Sequence, residues 1–76
     1  MNKIRRKNLQ EIADKLAELK DELETLQREE EDYRDNMPEN LQGSERYERA
    51  DAACDSLSEA VESLDSAISS IEEAIE

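Results

Sequence analysis

One stretch of the sequence, residues 36–44, holds the only proline and the only glycine among the 76 residues, Pro38 and Gly43. Proline cannot continue a helix, because it lacks an amide donor and its ring clashes with the preceding turn. Glycine and asparagine accept the backbone angles that a chain reversal often uses. On each side of this stretch, apolar residues recur with helical periodicity over about thirty residues. The sequence therefore predicts one all-α unit, 1–76, with a helix over about 3–35, a turn at 36–43 and a helix over about 44–75.

The first predicted helix carries a seam of apolar residues spaced alternately by three and four, which is the pattern of a coiled coil. In heptad letters, a falls at Leu9 and every seventh residue after it, and d falls at Ile12 and every seventh residue after it. A single acidic residue interrupts the seam at an a position, where a polar side chain commonly sets the register. The seam consists of Leu9, Ile12, Leu16, Leu19, Leu23, Leu26, Glu30, Tyr33 and Met37.

The second predicted helix begins near Ser44, because serine is a good N-cap and an anion follows it in the first turn. Its own seam has the same spacing, with a positions at Cys54 and every seventh residue on either side. Pairing the two seams in an antiparallel hairpin places Leu26 opposite Cys54 and Leu19 opposite Val61, so nearly every layer is apolar on both sides. The second seam consists of Tyr47, Ala50, Cys54, Leu57, Val61, Leu64, Ile68, Ile71 and Ile75.

A strip of alanines recurs every seven residues in the second helix, one position before each a residue. Small side chains let another helix approach closely, so the strip serves either packing within the hairpin or contact with a second copy. A lone two-helix hairpin leaves part of each seam in water. We therefore expect an antiparallel two-helix coiled-coil hairpin that forms a homodimer and closes a four-helix bundle. The strip consists of Ala53, Ala60, Ala67 and Ala74.

The composition excludes several kinds of chemistry. The sequence has no histidine and one cysteine, so it offers no His-based acid–base catalysis and no metal site built on His or on a Cys cluster. With a filled seam and no pocket between two helices, we expect no enzyme activity and no cofactor. No apolar run is long enough to cross a bilayer and no signal peptide is recognisable, so we expect a cytoplasmic protein without membrane contact.

The net charge of −12 predicts the kind of partner. An acidic surface repels nucleic-acid phosphates and attracts basic proteins, so we expect a basic protein partner and no direct nucleic-acid binding. Residues 1–8 carry four cations and no anion. That basic segment is either a solvated helix terminus or a contact patch for an acidic partner or for nucleic acid.

Residues around the turn form the predicted binding site for a partner. Two tyrosines, a methionine and a leucine gather there, and they either plug the end of the bundle or contact a protein. The acidic run just before the turn lacks the spacing and glycine of a calcium loop, so it is better explained as a solvated face than as a metal site. The predicted partner-binding residues are Glu29, Glu31, Asp32, Tyr33, Met37, Leu41, Arg46 and Tyr47.

Two seam residues have alternative roles. Cys54 sits at an a position between acidic neighbours, which favours a buried packing residue over a reactive thiolate. Glu30 either pairs with nearby arginines, for which Arg34, Arg46 and Arg49 are candidates, or receives a cation from a partner.

The string from Asp35 to Glu48, DNMPENLQGSERYE, resembles the turn of small acidic coiled-coil hairpin proteins from Gram-positive bacteria, their phages and mobile elements. The resemblance covers residues from about 10 to 76 and implies a fold and a genomic setting. It transfers no functional residue. The turn is longer than the two to five residues that a simple reversal needs, which hints at a contact made by the tip.

Two functions fit these observations. The first is a non-enzymatic acidic module that binds a basic protein, such as an inhibitor of a host restriction or CRISPR enzyme whose carboxylates mimic the phosphates of DNA. The second is a structural or assembly adaptor that binds through its apolar seam and its turn.

Overall fold

The computed structural model describes all 76 residues and contains two long helices joined by a compact turn. Helix α1 spans Lys3–Asp35 and helix α2 spans Glu45–Ile75, with a short 3₁₀ helix, Glu39–Leu41, between them. There is no strand, and the helices pack along each other in a rod of 60 × 15 × 13 Å. The predicted helical hairpin is confirmed.

Both helices begin with a side chain that caps a free amide. Ser44 Oγ accepts a hydrogen bond from the Tyr47 amide at 3.3 Å, so the predicted cap of α2 is confirmed. At α1, Asn2 Oδ1 accepts one from the Arg5 amide at 2.7 Å. This second cap is not among the predictions, although asparagine is a preferred residue at that position.

The turn reverses the chain without any residue in the left-handed region of backbone space. The Asn36 amide bonds the Asp32 carbonyl at 2.9 Å and ends α1, and Pro38 is extended, at φ −58° and ψ 149°. The 3₁₀ helix starts at Glu39, with Pro38 at its N-cap position, and Asn36 is the C-cap of α1. Gly43 has no positive φ either, so the freedom of glycine is not what permits this reversal.

The core of the hairpin is thin. Only Ala13, Met37, Ala50 and Cys54 are buried, and no leucine, isoleucine or valine is among them. The a leucines of α1 and the rest of the seam of α2 are half-buried. The large d residues of α1, by contrast, remain between 47% and 57% exposed. These exposed d residues are Ile12, Leu19, Leu26 and Tyr33.

The predicted register between the helices is wrong by about one helical turn. That register places Lys20 opposite Ala60, but in the structure the Lys20 ammonium lies 2.7 Å from the Asp65 carboxylate. Arg34 similarly pairs with Asp51 at 2.9 Å. Both ionic partners lie five residues further along α2 than the predicted register allows, so its layers are displaced.

The displacement comes with a rotation of α1 about its own axis. The residues that accompany the a leucines toward α2 occupy the e positions, where Ala13 is buried and Lys20 and Arg34 are half-buried. An alanine permits close approach, and the aliphatic stems of lysine and arginine cover apolar surface while their charged ends reach carboxylates. The d residues consequently turn away from α2 and toward one open side.

Candidate protein-binding surfaces

One long side of the hairpin, which we call the open face, combines the d residues of α1 with the alanine strip of α2. A groove of about 590 Å³ near the turn is lined by both Tyr33 and Ala53, which places the two rows on the same side. Each row repeats every seven residues, so each keeps this side along its helix. The open face consists of Ile12, Leu19, Leu26 and Tyr33 from α1 and Ala53, Ala60, Ala67 and Ala74 from α2.

The opposite edge of the helix pair is closed by ion pairs. Lys20 bonds Asp65 and lies 3.9 Å from Glu24, and Arg34 bonds both Asp35 and Asp51 at 2.9 Å. The hydrogen bond that the Lys20 ammonium donates to Asp65 is the main reason that the pKa of Lys20 is raised. The pKa of Arg34 is also raised, chiefly by its bond to Asp35 and, after the opposing effect of desolvation, by its bond to Asp51. This edge fixes the level of one helix against the other.

Charge in α2 is segregated to one half of the helix. From Ala50 to Ile75, no charged residue occupies an a, c, d or g position, and every carboxylate lies at b, e or f. Positions c, g, d and a follow one another around the helix and cover about half of its surface. Helix α1 covers only part of this uncharged half, since Ala67, Ala74 and the c serines remain exposed. The c serines are Ser56, Ser63 and Ser70.

The faces of the two helices that point away from the seam are acidic, and together we call them the acidic side of the molecule. In α1, from Glu11 onward, they are the c and f positions, which carry six carboxylates, one threonine and one arginine. All of these residues are exposed. With the b, e and f carboxylates of α2, they account for most of the negative charge. The α1 carboxylates are Glu11, Asp14, Glu18, Asp21, Asp32 and Asp35.

The tip brings most of the predicted apolar contact residues together, but it buries one of them. Met37 is 7% exposed and belongs to the core. Leu41 and Tyr47 are half-buried beside it in the turn and the first turn of α2. Tyr33 is half exposed and Arg46 is exposed, and both line the groove. The tip therefore presents a tyrosine and an arginine rather than the whole predicted set.

The acidic residues predicted for a partner are only partly free. Glu29 and Asp32 are exposed and Glu31 is half-buried. Glu30 lines the groove with Arg46 and Arg49 but makes no ion pair: Arg34 is held by aspartates, Arg49 is held by Glu45, and Arg46 makes no ion pair. The predicted pairing of Glu30 with arginine is therefore wrong.

Cys54 is buried, as predicted, at 4% exposure. Burial raises the pKa of its thiol; Arg34 acts in the opposite direction, while Glu31 and Glu30 add to the increase. These neighbours show that Cys54 lies beside the Glu30–Arg34 turn of α1 rather than opposite Leu26. The thiol is a protonated packing residue with no base beside it.

The open face and the ion-paired edge are the features that the sequence reasoning missed. Their signal lies in the e positions of both helices, where cations of α1 match aspartates of α2. Aligning Lys20 with Asp65 and Arg34 with Asp51 yields the observed register directly.

No group of His, Cys, Asp or Glu side chains in the structure is placed to hold a metal ion. None of the helices combines the length and the apolar character that a membrane span requires. A comparison with protein-family models gives no match, and the comparisons with curated proteins and with solved structures give none either.

Proposed function

We propose that this chain is a cytoplasmic, non-enzymatic, acidic protein-binding module. Its partner is a basic protein that handles nucleic acid, and the module acts as a dimer. The observation that carries the proposal is the segregation of charge in α2 from Ala50 to Ile75, where the carboxylates occupy b, e and f and leave the other half uncharged. Such segregation supplies one surface for a basic groove and a different surface for a second copy.

Charge density supports an occupant of a nucleic-acid groove. A net charge of −12 along a rod of 60 Å corresponds to one negative charge per about 5 Å. Duplex DNA carries one per ~1.7 Å of its axis. A dimer with the two rods side by side halves the spacing to about 2.5 Å, which approaches the density of DNA.

The resemblance of the turn to proteins of phages and mobile elements extends this proposal. In that setting the basic partner would be a host restriction or CRISPR enzyme, and the carboxylates would occupy its DNA-binding groove. Direct binding of this chain to nucleic acid is disfavoured by the same charge.

Capture of partners from host lysate, using three immobilised baits, tests the proposal. The baits are the unaltered chain, a variant with the b row of α2 neutralised (Glu48→Gln, Asp55→Asn, Glu62→Gln), and a variant of the tip (Leu41→Ala, Tyr47→Ala). We expect the unaltered chain and the tip variant to retain a DNA-binding protein and the neutralised variant to lose it. Binding to the captured protein should weaken steeply with salt and compete with duplex DNA. Binding that is indifferent to salt, or that coexists with DNA, would contradict the proposal.

A structural or assembly adaptor is the second candidate function, and the groove at the tip favours it. This groove joins Tyr33 to Arg46 and Arg49, a combination of aromatic and arginine side chains that protein interfaces favour. In this case the tip variant loses its partner and the variant with the neutralised b row keeps it. The three baits therefore separate the two functions in one experiment.

A further inference from the structure

The open face is an apolar surface that the hairpin by itself leaves in water. Its four large α1 residues are about half exposed, and the buried core contains no branched aliphatic side chain. Small domains that cannot bury such residues internally usually need a partner or a covalent staple. Cys54 is the single cysteine of the chain, so no disulfide within the chain can act as such a staple.

We infer that a second copy covers the open face, with its two-fold axis parallel to the rod. Both turns then lie at the same end, and the d residues of α1 in each copy pack on the alanine strip of α2 in the other. This inference rests on the dimer in the proposed function and specifies its interface.

The position of each residue along the rod, which we call its level, supports this axis. The ion pairs place Lys20 at the level of Asp65 and Arg34 at the level of Asp51. A two-fold axis along the rod changes no residue's level, so each α1 residue meets the partner's α2 at the level it already has in its own hairpin. The large d residues of α1 then lie within about one residue of the level of the alanines in the partner's α2. The contacts pair Tyr33 with the partner's Ala53, Leu26 with the partner's Ala60, Leu19 with the partner's Ala67 and Ile12 with the partner's Ala74.

Size complementarity favours a two-fold axis parallel to the rod over one perpendicular to it, which would make the two copies antiparallel. Packing a large side chain against an alanine at every layer fills space without collision. With the axis perpendicular to the rod, α1 would face α1 of the partner, so that leucines meet leucines and alanines meet alanines. The two sides of the bundle would then require different helix separations.

The charges that border the open face agree with the parallel axis. The g positions of α1 hold Lys15, Glu22 and Glu29. At matching levels they meet the uncharged c serines of the partner's α2, so no like charges oppose each other. In the antiparallel arrangement centred on the open face, Glu22 would face Glu22 of the partner.

Counted as a whole, a long side of the rod is about as large as one partner's share of a stable interface. A long side of the rod projects about 60 × 15 Å, on the order of 900 Å² for each copy. Stable protein interfaces bury about 800 Å² on each partner.

The first test is the mass in solution, measured by light scattering after size exclusion. We expect twice 8.7 kDa for the unaltered chain. Ala67→Glu places a charge in the interface and should give a monomer whose helical circular dichroism is lost at a lower temperature than that of the unaltered chain. Ala52→Glu is the matched control, since Ala52 is an exposed alanine at an f position of the same helix, and should remain a dimer. A monomeric unaltered chain at high micromolar concentration would overturn the inference, as would a dimeric Ala67→Glu variant.

The second test is the distance between spin labels in the two copies, measured by double electron–electron resonance. Cysteines replace Glu45, Glu59 or Glu73, one at a time, in a Cys54→Ala background. All three are f positions near the tip, middle and base of α2. A two-fold axis parallel to the rod gives similar distances between the two labels at all three positions. A two-fold axis perpendicular to the rod at the level of Glu22 gives separations along the rod of ~12 Å at Glu59, ~30 Å at Glu73 and ~54 Å at Glu45, at 1.5 Å per residue, and this result would overturn the inference.

These tests do not depend on the acidic side. Loss of partner capture with an intact dimer counts against the proposed function alone. A monomer that still captures a DNA-binding protein counts against the dimer alone.

Discussion

At the scale of single residues, the structure assigns packing roles to side chains that could have carried chemistry. Cys54 is the only nucleophilic thiol, and it is buried with a raised pKa. Ser44 caps α2, while Gly43 beside it adopts backbone angles that any residue can use. Each of these assignments has a direct consequence for a substitution or a reaction.

The first prediction concerns the reactivity of Cys54. Burial favours the neutral form of the Cys54 thiol in the folded protein. The stability that the neutral thiol contributes is therefore complete below the ordinary pKa of a thiol. It is lost as the pH rises through the raised pKa of the folded state. We expect alkylation by iodoacetamide at pH 8 to be much slower in the folded protein than in urea. A Cys54→Ala, Ser69→Cys variant, with its thiol at an exposed position, is the control and should react at similar rates in both conditions. Equal rates for Cys54 would show that it is accessible.

The second prediction concerns Gly43. Its φ is not positive and a Cβ there would meet no atom within 4 Å, so Gly43→Ala should stabilise the protein by ~0.4–1 kcal/mol through the entropy of the unfolded chain. Urea denaturation measures this change. Ser44→Ala, next along the chain, removes the N-cap of α2 and should instead cost about 1 kcal/mol. A destabilised Gly43→Ala variant would show that the turn does require glycine.

At the scale of helices, the pairing of α1 with α2 is decided by residues beside the leucines. The a leucines alone fit several registers, because a heptad seam looks alike after each repeat. The ion pairs at the e positions distinguish these registers, since only the observed register lets Lys20 and Arg34 both face an aspartate.

The third prediction is that the Lys20–Asp65 pair acts as a register contact. Lys20→Asp and Asp65→Lys should each lower the urea midpoint, and the double variant should recover most of the loss. The coupling should fade in 1 M salt, where charges are screened beyond ~3 Å. Because the pKa of Lys20 is raised by this bond, the coupling is present below the ordinary lysine pKa and is lost as pH rises through the raised value. Lys15→Asp, at a position with no ion pair, is the control and should show no coupling to Asp65→Lys.

At the scale of the whole molecule, stability depends on what covers the open face. A hairpin with four buried residues has little internal core, so most of the apolar surface removed from water would be removed by association. The same association brings the two acidic sides into one body, which is the form proposed for contact with a basic groove.

The fourth prediction is that the melting temperature rises with protein concentration, because folding and association are linked. Leu19→Ala should then cost ~2–5 kcal/mol, as expected for a buried leucine, although Leu19 is 53% exposed in the single hairpin. Leu16→Ala, in the seam between α1 and α2, is the comparison and should cost a similar amount. Circular dichroism melts at several concentrations measure both effects. A Leu19→Ala variant as stable as the unaltered chain would show that the open face stays exposed.

The sequence by itself determines the two helices, the turn and the Ser44 cap, because helix periodicity, proline and capping act over a few neighbouring residues. The acidic character and the lack of histidine chemistry follow from composition in the same way. Only the tertiary structure decides which side of α1 faces α2. The a leucines of α1 can pack on α2 together with either the d residues or the e residues. Which of the two rows joins them depends on the close approach at Ala13 and on ion pairs between distant residues. That choice turns Ile12, Leu19, Leu26 and Tyr33 outward and creates the open face.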